Sequence, residues 1–273
     1  MANQEPDLVE VVKDGIYIIR FNRPKRKNAF NDKIMLGLAP ALERAASNPD
    51  AAIAVITGTG DYFTSGNDLS NFSKGAGSGG GGGASDKKGE TNLEQLAQAA
   101  NGSFNRLVKA FIDFPKPLVA IVNGPAVGIG VTMLGLCDVV YATNRAIFHA
   151  PFVSLAQAPE GCSSFLFPRI MGPGKAAEIL LFGKKVTADE ACKLGLVTEV
   201  FPDEHMDQIW PRLHQWAKLP PVAMMRAKGL MRAHLKDKLH EVNDLECKSL
   251  AESWTTEEFM AALMKFFTRK SKL

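Results

Sequence analysis

The chain has 273 residues, of which 46% are apolar and 22% charged, with a formal net charge of +3. This balance supports one large domain, or one domain with an appended subdomain, and excludes wholesale disorder and fibrous architectures. Basic residues concentrate only in "RPKRK" (23–27) and "TRKSKL" (268–273), so nucleic acid is not an expected partner, whereas a small polyanion is.

In chain order, "LVEVVKDGIYIIRF" (8–21) places two β-rich runs around Asp14-Gly15, the pair that favours a tight hairpin turn. After the basic loop, Asn31 or Asp32 is placed to cap a helix whose Ile34, Leu38 and Leu42 recur every four residues; "AAIAVITG" (51–58) then reads as a buried strand. Residues 73–90, rich in glycine, are expected to form a flexible insertion, and their formal G-x-G-x-x-G match follows no strand and carries no weight. Leu93, Leu96, Ala100, Phe104, Leu107, Phe111 and Phe114 predict one long amphipathic helix.

Residues 117–142 are apolar enough to suggest a membrane span. Asn123, Pro125, four glycines and Asp138 instead divide the segment into a strand, a glycine-rich turn, a helix over "PAVGIGVTMLGLCD" and a further strand, "DVVYAT". A short strand "AIFHA" follows. Beyond residue 160 the pattern is mostly helical: "GKAAEILLFG", then "TADEACKLG" with the Thr187 and Glu190 capping-box spacing, the strand "LVTEVF", and three or four closing helices. Strands and helices first, helices last, predict an α/β body with a helical C-terminal section.

Cys137, Cys162, Cys192 and Cys247 show no C-x-x-C spacing and the histidines no H-E-x-x-H pattern, so no metal site is expected. The opening "MANQEPDLVE" lacks a secretion signal, which makes reduced thiols the expectation and the sequons at Asn71 and Asn101 incidental. Ser271, Lys272 and Leu273 spell the S-K-L address of the peroxisomal import receptor, so the peroxisomal matrix is the expected location.

Two turns present backbone N–H groups at strand ends: "FTSGNDL" (63–69) and "NGPAVGIGVT" (123–132), the latter through Gly128, Ile129 and Gly130 at a helix start. Each alone reads as a tight turn, and Glu160 alone reads as an exposed loop carboxylate. Together they are the parts needed to draw a proton from carbon beside a carbonyl: donors for the oxyanion, and a carboxylate among apolar neighbours for the proton.

The segments "RPKRKNAFN", "VITGTGDYFTSGNDLSNF", "FPKPLVAIVNGPAVGIGVTMLGLCDVVYAT" and "PEGCSS", in this order, resemble the crotonase (enoyl-CoA hydratase/isomerase) superfamily from about Leu8 to about Phe267, in particular its peroxisomal Δ3,Δ2-enoyl-CoA isomerase branch. The resemblance implies a spiral of ββα units over residues 1–200, a helical trimerisation section over 201–268, a targeting tail over 269–273, and homotrimers or dimers of trimers. It also implies an acyl-CoA thioester substrate and no cofactor, CoA being part of the substrate. Some related isomerases carry an acyl-CoA-binding module ahead of this domain; none is expected here.

By the same resemblance the oxyanion donors are the N–H groups of Asn67 and Ile129. Ser65, Gly66, Asp68 and Leu69 shape the first loop and Gly128 the second. Hydratases carry two glutamates where this chain has Thr132 and Phe152, so water addition lacks its acid–base pair. The isomerase base matches Glu160, which moves a proton from C2 to C4 of a 3-enoyl-CoA and yields the trans-2-enoyl-CoA used in β-oxidation. Phe152, Phe165 and Leu166 either exclude water or simply pack the core. The loop from Lys25 to Ala29 is implied to meet the CoA nucleotide, with the phosphate contact open among Lys25, Arg26 and Lys27, and Lys265 a weaker candidate. Rival readings are another crotonase reaction, hydration included, and a catalytically silent acyl-CoA-binding protein.

Overall fold

The computed structural model describes residues 5–69 and 101–270. The glycine-rich stretch 73–90, the first part of the long helix expected from Leu93, and Ser271 to Leu273 lie outside these residues.

The chain opens with β1 (Leu8–Lys13) and β2 (Ile16–Phe21), paired antiparallel with Lys13 opposite Ile16. The turn between them puts Asp14 at φ 51° and Gly15 at φ 80°, a left-handed pair that short polar residues and glycine tolerate. Helix α1 (Asp32–Ser47) starts where Asn31 accepts the Ile34 N–H on its side-chain oxygen at 3.1 Å, and its Ile34, Leu38 and Leu42 stripe is buried. Strand β3 (Ile53–Gly58) then pairs parallel to β2.

Residues 101–112 form α2, with Phe104, Leu107 and Phe111 buried as their spacing predicts. β4 (Leu118–Val122) lies parallel to β3, and β5 (Ala126–Val127) steps out of that sheet. The helix expected over "PAVGIGVTMLGLCD" is shorter: α3 (Ile129–Thr132) is a single turn that tightens into a 3-10 turn over Met133–Leu136. Next come β6 (Val139–Thr143), β7 (Ile147–His149), α4 (Ser163–Met171) and α5 (Pro173–Leu180). They lead to β8 (Val186–Thr187), α6 (Ala188–Lys193) with both halves of the Thr187–Glu190 capping box formed, and β9 (Glu199–Phe201). Only the last half of "LVTEVF" is strand. Four helices close the described chain: α7 (Ile209–Trp216), α8 (Pro221–Arg232), α9 (Lys236–Trp254) and α10 (Glu257–Lys270).

One six-stranded sheet runs β1-β2-β3-β4-β6-β9, parallel from β2 onward, and a smaller sheet runs β5-β7-β8. β4 and β6 are each followed by a short strand of the small sheet. β3 is followed by Thr64, which bridges to Ala126, and beyond it Asn67 bridges to Phe30. The chain thus spirals, each turn passing from the large sheet to the small layer and back through helix.

β4 is apolar throughout and β3 nearly so, its buried Thr57 donating its hydroxyl to the Ile121 carbonyl, because both faces of the large sheet are covered. One face meets the main core with α1 and α2. The other carries Ile16, Ile18, Ile53, Val55, Val119, Ile121 and Tyr141 against Ile209 and Leu213 of α7. α8 is pinned by Lys228, a buried cation whose ammonium lies 2.7 Å from the Asp138 carboxylate and donates to the Lys116 carbonyl. α9 docks on α2 through Asp244 with Lys109 and Asn105. Among the described residues no helix is long and apolar enough to cross a membrane.

Candidate active site

The small layer is where the candidate loops meet, and backbone hydrogen bonds join them. Phe30 N–H donates to the Gly66 carbonyl at 2.8 Å, Asp68 N–H to Phe30, and Ser65 N–H to Lys27, both at 2.9 Å. Asn28, fully buried, ties the basic loop together: its side-chain Oδ1 accepts Arg23 N–H, and its side-chain Nδ2 donates to the carbonyls of Thr59 and Tyr62. Thr64, also buried, donates its hydroxyl to the Asn28 carbonyl and accepts the Gly66 N–H. Arg23 bridges Asp7 and Asp68 and donates to the Ala29 carbonyl. The 25–29 and 65–69 loops are therefore one hydrogen-bonded unit, and although its organisers Arg23, Asn28 and Thr64 lie in the segments singled out in the sequence, nothing in those segments marked these side chains as the ones that join the loops.

Glycines bring the second turn against this unit. Gly66, at φ 81°, approaches so closely that a Cβ would stand 2.7 Å from the Val127 carbonyl oxygen, and one on Gly130 would overlap the Thr64 methyl. Gly161, at φ 67°, packs likewise on Thr132, leaving 2.6 Å between its would-be Cβ and the threonine hydroxyl. Three segments distant in sequence thus converge through positions lacking a side chain.

Of the three N–H groups expected at the second turn, Gly128 is spent: it donates to the His149 carbonyl at 2.9 Å. Among the described residues neither Asn67 N–H nor Ile129 N–H donates to a protein acceptor. Ile129 opens α3 and is buried, whereas Asn67 is half-buried. Two backbone donors are thus left at the junction of the two loops.

Glu160 ends the loop before α4. It is half-buried, and among the described residues no cation or hydrogen-bond donor engages its carboxylate. Burial, reinforced by the negative charge of Glu246, pushes its pKa from 4.5 up to about 8. Gly161, Cys162 at φ 59°, and then α4 turn the chain sharply behind it. The sequence reading did not resolve α4, because Phe165, Leu166 and Phe167 are consecutive and Pro168 follows, a pattern without helical period.

The remaining candidates are dispersed around this junction. Phe152 and Leu166 are buried, Thr132 is fully buried, and Phe165 is half-buried beneath the Arg169 guanidinium at 3.3 Å. Leu69 and Ala156 pack against Leu250, Trp254, Phe259 and Leu263, so α9 and α10 roof this side of the site. Lys25, Arg26 and Lys27 are exposed, with Lys27 over the Tyr62 ring. The Lys27 and Ala29 carbonyls accept internal donors, Ser65 N–H and Arg23. Lys265 is exposed on α10.

Residues 12–272 match the enoyl-CoA hydratase/isomerase family model. The chain belongs to that family. It is 51% identical to human enoyl-CoA delta isomerase 2, over 97% of this chain and 64% of the relative, and 46% identical to mouse peroxisomal enoyl-CoA delta isomerase 3, over 99% and 81%. The chain therefore spans just under two thirds of the length of the human relative. A solved enoyl-CoA hydratase/isomerase from Pseudoalteromonas atlantica T6c superposes with a TM-score of 0.82 at 32% identity, covering 96% of this chain and 97% of that one. Within this enoyl-CoA hydratase/isomerase chain, the spiral implied by the family resemblance is the observed architecture, and burial at the site pushes the Glu160 carboxyl well above the ordinary carboxylate range.

Proposed function

We propose that this chain is a Δ3,Δ2-enoyl-CoA isomerase in which Glu160 carries out a single-base 1,3-proton shift. The observation that carries the reading is a desolvated carboxyl, without a partner among the described residues, beside two loops whose Asn67 and Ile129 N–H groups meet no protein acceptor among those residues. The thioester carbonyl oxygen lies between those N–H groups, so charge developing there on removal of the C2 proton meets donors already oriented. Glu160 takes that proton, the negative charge spreads over a dienolate, and the same carboxylic acid delivers a proton to C4. The C2–H bond breaks, the double bond moves from C3–C4 to C2–C3, and a C4–H bond forms, with no net change in atoms or electrons.

A pKa of about 8 suits this round trip, because the acid must give the proton back as readily as its conjugate base takes it. Thr132 and Phe152, both buried, offer no acid–base pair for water at the positions where the family resemblance places the hydratase glutamates. Ser65, Gly66, Asp68, Leu69 and Gly128 shape the acyl pocket, and Phe152 and Phe165 limit water. The exposed cations Lys25, Arg26 and Lys27, with Ala29, border the CoA nucleotide. The spiral through residue 200 forms the catalytic body, residues 201–268 assemble trimers, and Ser271-Lys272-Leu273 directs the protein to peroxisomes, in keeping with one relative's name.

Assayed side by side, 3-enoyl-CoA isomerisation is expected to exceed hydration of 2-enoyl-CoA by at least about 100-fold. Hydration as the faster reaction would overturn the reading, as would acyl-CoA binding without exchange of the C2 proton for deuterium. Removing residues 271–273 is expected to leave turnover intact and send the protein to the cytosol, as fluorescence localisation would read. Unchanged import would remove the terminal address from the proposal.

A further inference from the structure

Glu246 is a carboxylate that the reaction above does not use, yet it is buried at 6% exposure and lies on α9, in the helical section farthest from Glu160 in sequence. One oxygen accepts the Cys162 N–H at 2.6 Å and the other the Ser164 N–H at 2.9 Å. Those donors flank the start of α4, which has no side-chain cap of its own from Cys162, its N-terminal neighbour. Glu246 thus acts as an N-cap supplied from another helix: it satisfies N–H groups that α4 leaves unpaired and sets a negative charge at the positive end of its dipole.

We propose that Glu246 is a positioning residue for Glu160, clamping through Cys162 and Ser164 the turn that carries the base and setting a second buried negative charge beside it. The inference rests on the isomerase reading for its catalytic consequence, but the clamp itself stands on the hydrogen bonds. Two buried carboxyls near one another do not both ionise readily, and the first charge goes to the one with hydrogen-bond donors. Glu246 has two backbone donors, and among the described residues Glu160 has none. Burial raises the Glu246 pKa, and its bonds from Ser164 and Cys162 oppose that rise. The charge therefore settles on Glu246 and the exchangeable proton on Glu160.

Among the described residues, the other titratable groups near the pair are two thiols and Asp244. Cys162, from the loop, and Cys247, next on α9, are both pushed up by burial and by the Glu246 charge, Cys247 to about 11, so they stay neutral through the working range. Asp244, on the same helix, is engaged with Lys109 and Asn105.

The test is the titration of the Glu160 carboxyl in the folded full chain, followed by carbon-13 NMR of labelled glutamate and assigned with Glu160→Gln, alongside the pH profile of kcat/KM. In Glu246→Gln, which removes the charge and keeps one acceptor, the Glu160 midpoint is expected to fall by about one pH unit or more, and the kinetic midpoint with it. In Glu246→Asp, which keeps the charge on a shorter arm, the midpoint is expected to stay while kcat drops about tenfold or more through poorer placement of the base. A Glu160 midpoint unmoved in a folded Glu246→Gln protein overturns the inference. Should that variant fail to fold, Glu246→Asp decides, and wild-type kcat in it overturns the inference. A shifted NMR midpoint in a protein without isomerase activity would instead sink the isomerase reading and leave the clamp standing.

Discussion

Glu160→Gln is expected to lower isomerase kcat by about 10²–10⁴-fold while making the folded protein more stable above neutral pH. Glutamine has nearly the same shape but cannot take a proton from C2, and no other carboxyl among the described residues combines partial exposure at this junction with a pKa near 8. The stability gain follows from the same burial. In the unfolded chain Glu160 ionises near 4.5; in the folded protein it holds its proton to about 8. Folding is unpenalised below pH 4.5, loses stability as pH rises across that window, and bears the full penalty above pH 8. The penalty is on the order of a few kcal/mol, lessened by the solvent that reaches a half-buried group. Thermal melts should therefore show wild type and Glu160→Gln together near pH 4 and diverging toward pH 8, the variant melting higher. Wild-type kcat/KM should climb with pH toward a midpoint near 8 wherever proton abstraction limits the rate. A variant with turnover within tenfold of wild type would assign the base elsewhere.

Gly66→Ala is expected to cut kcat/KM by about 10²–10³-fold, the range for losing one oxyanion donor, and to lower the melting temperature as well. Its Cβ would press on the Val127 carbonyl at 2.7 Å, and its φ of 81° disfavours any side chain. Relief requires the 65–69 loop to move away from the second turn, which separates the Asn67 and Ile129 donors. Gly128→Ala is the informative comparison. Nothing lies within 4 Å of its would-be Cβ, so its cost is backbone strain alone, on the order of 1–3 kcal/mol. Steady-state kinetics with melting curves for both variants separate the two causes. Normal activity in Gly66→Ala would mean that the closeness of the two loops is not what places the donors.

Much of the local architecture is legible in the residues. The Asp14-Gly15 turn, the cap expected from Asn31 or Asp32 and the Thr187–Glu190 capping box each depend on atoms a few positions apart, and each forms where its spacing places it, the cap falling to Asn31. The buried stripes of α1 and α2 follow from periodicity in the same way. α4 and the shortness of α3 were not legible, since a run of adjacent apolar residues and a glycine-rich turn do not reveal where an α-turn stops.

The organisers of the site were hidden for a different reason. Asn28 reaches Thr59 and Tyr62, Thr64 reaches Asn28, and Glu246 caps a helix whose first residues lie more than 80 positions away. Side chains of these types occur on any protein surface, and only their burial makes their hydrogen bonds obligatory.

Residue order by itself determined an α/β body with a helical C-terminal section, the two glycine-bearing turns, and a carboxylate at position 160, because turn chemistry, capping and apolar spacing act over short stretches of chain; the spiral was implied only by the family resemblance. Tertiary structure decided that the Gly128 N–H is engaged while, among the described residues, the Asn67 and Ile129 N–H groups meet no protein acceptor, and that Glu160 holds its proton to about pH 8. Those properties depend on who lies across a contact. Desolvation and a like charge arriving from a distant helix exist only once the chain has folded around them.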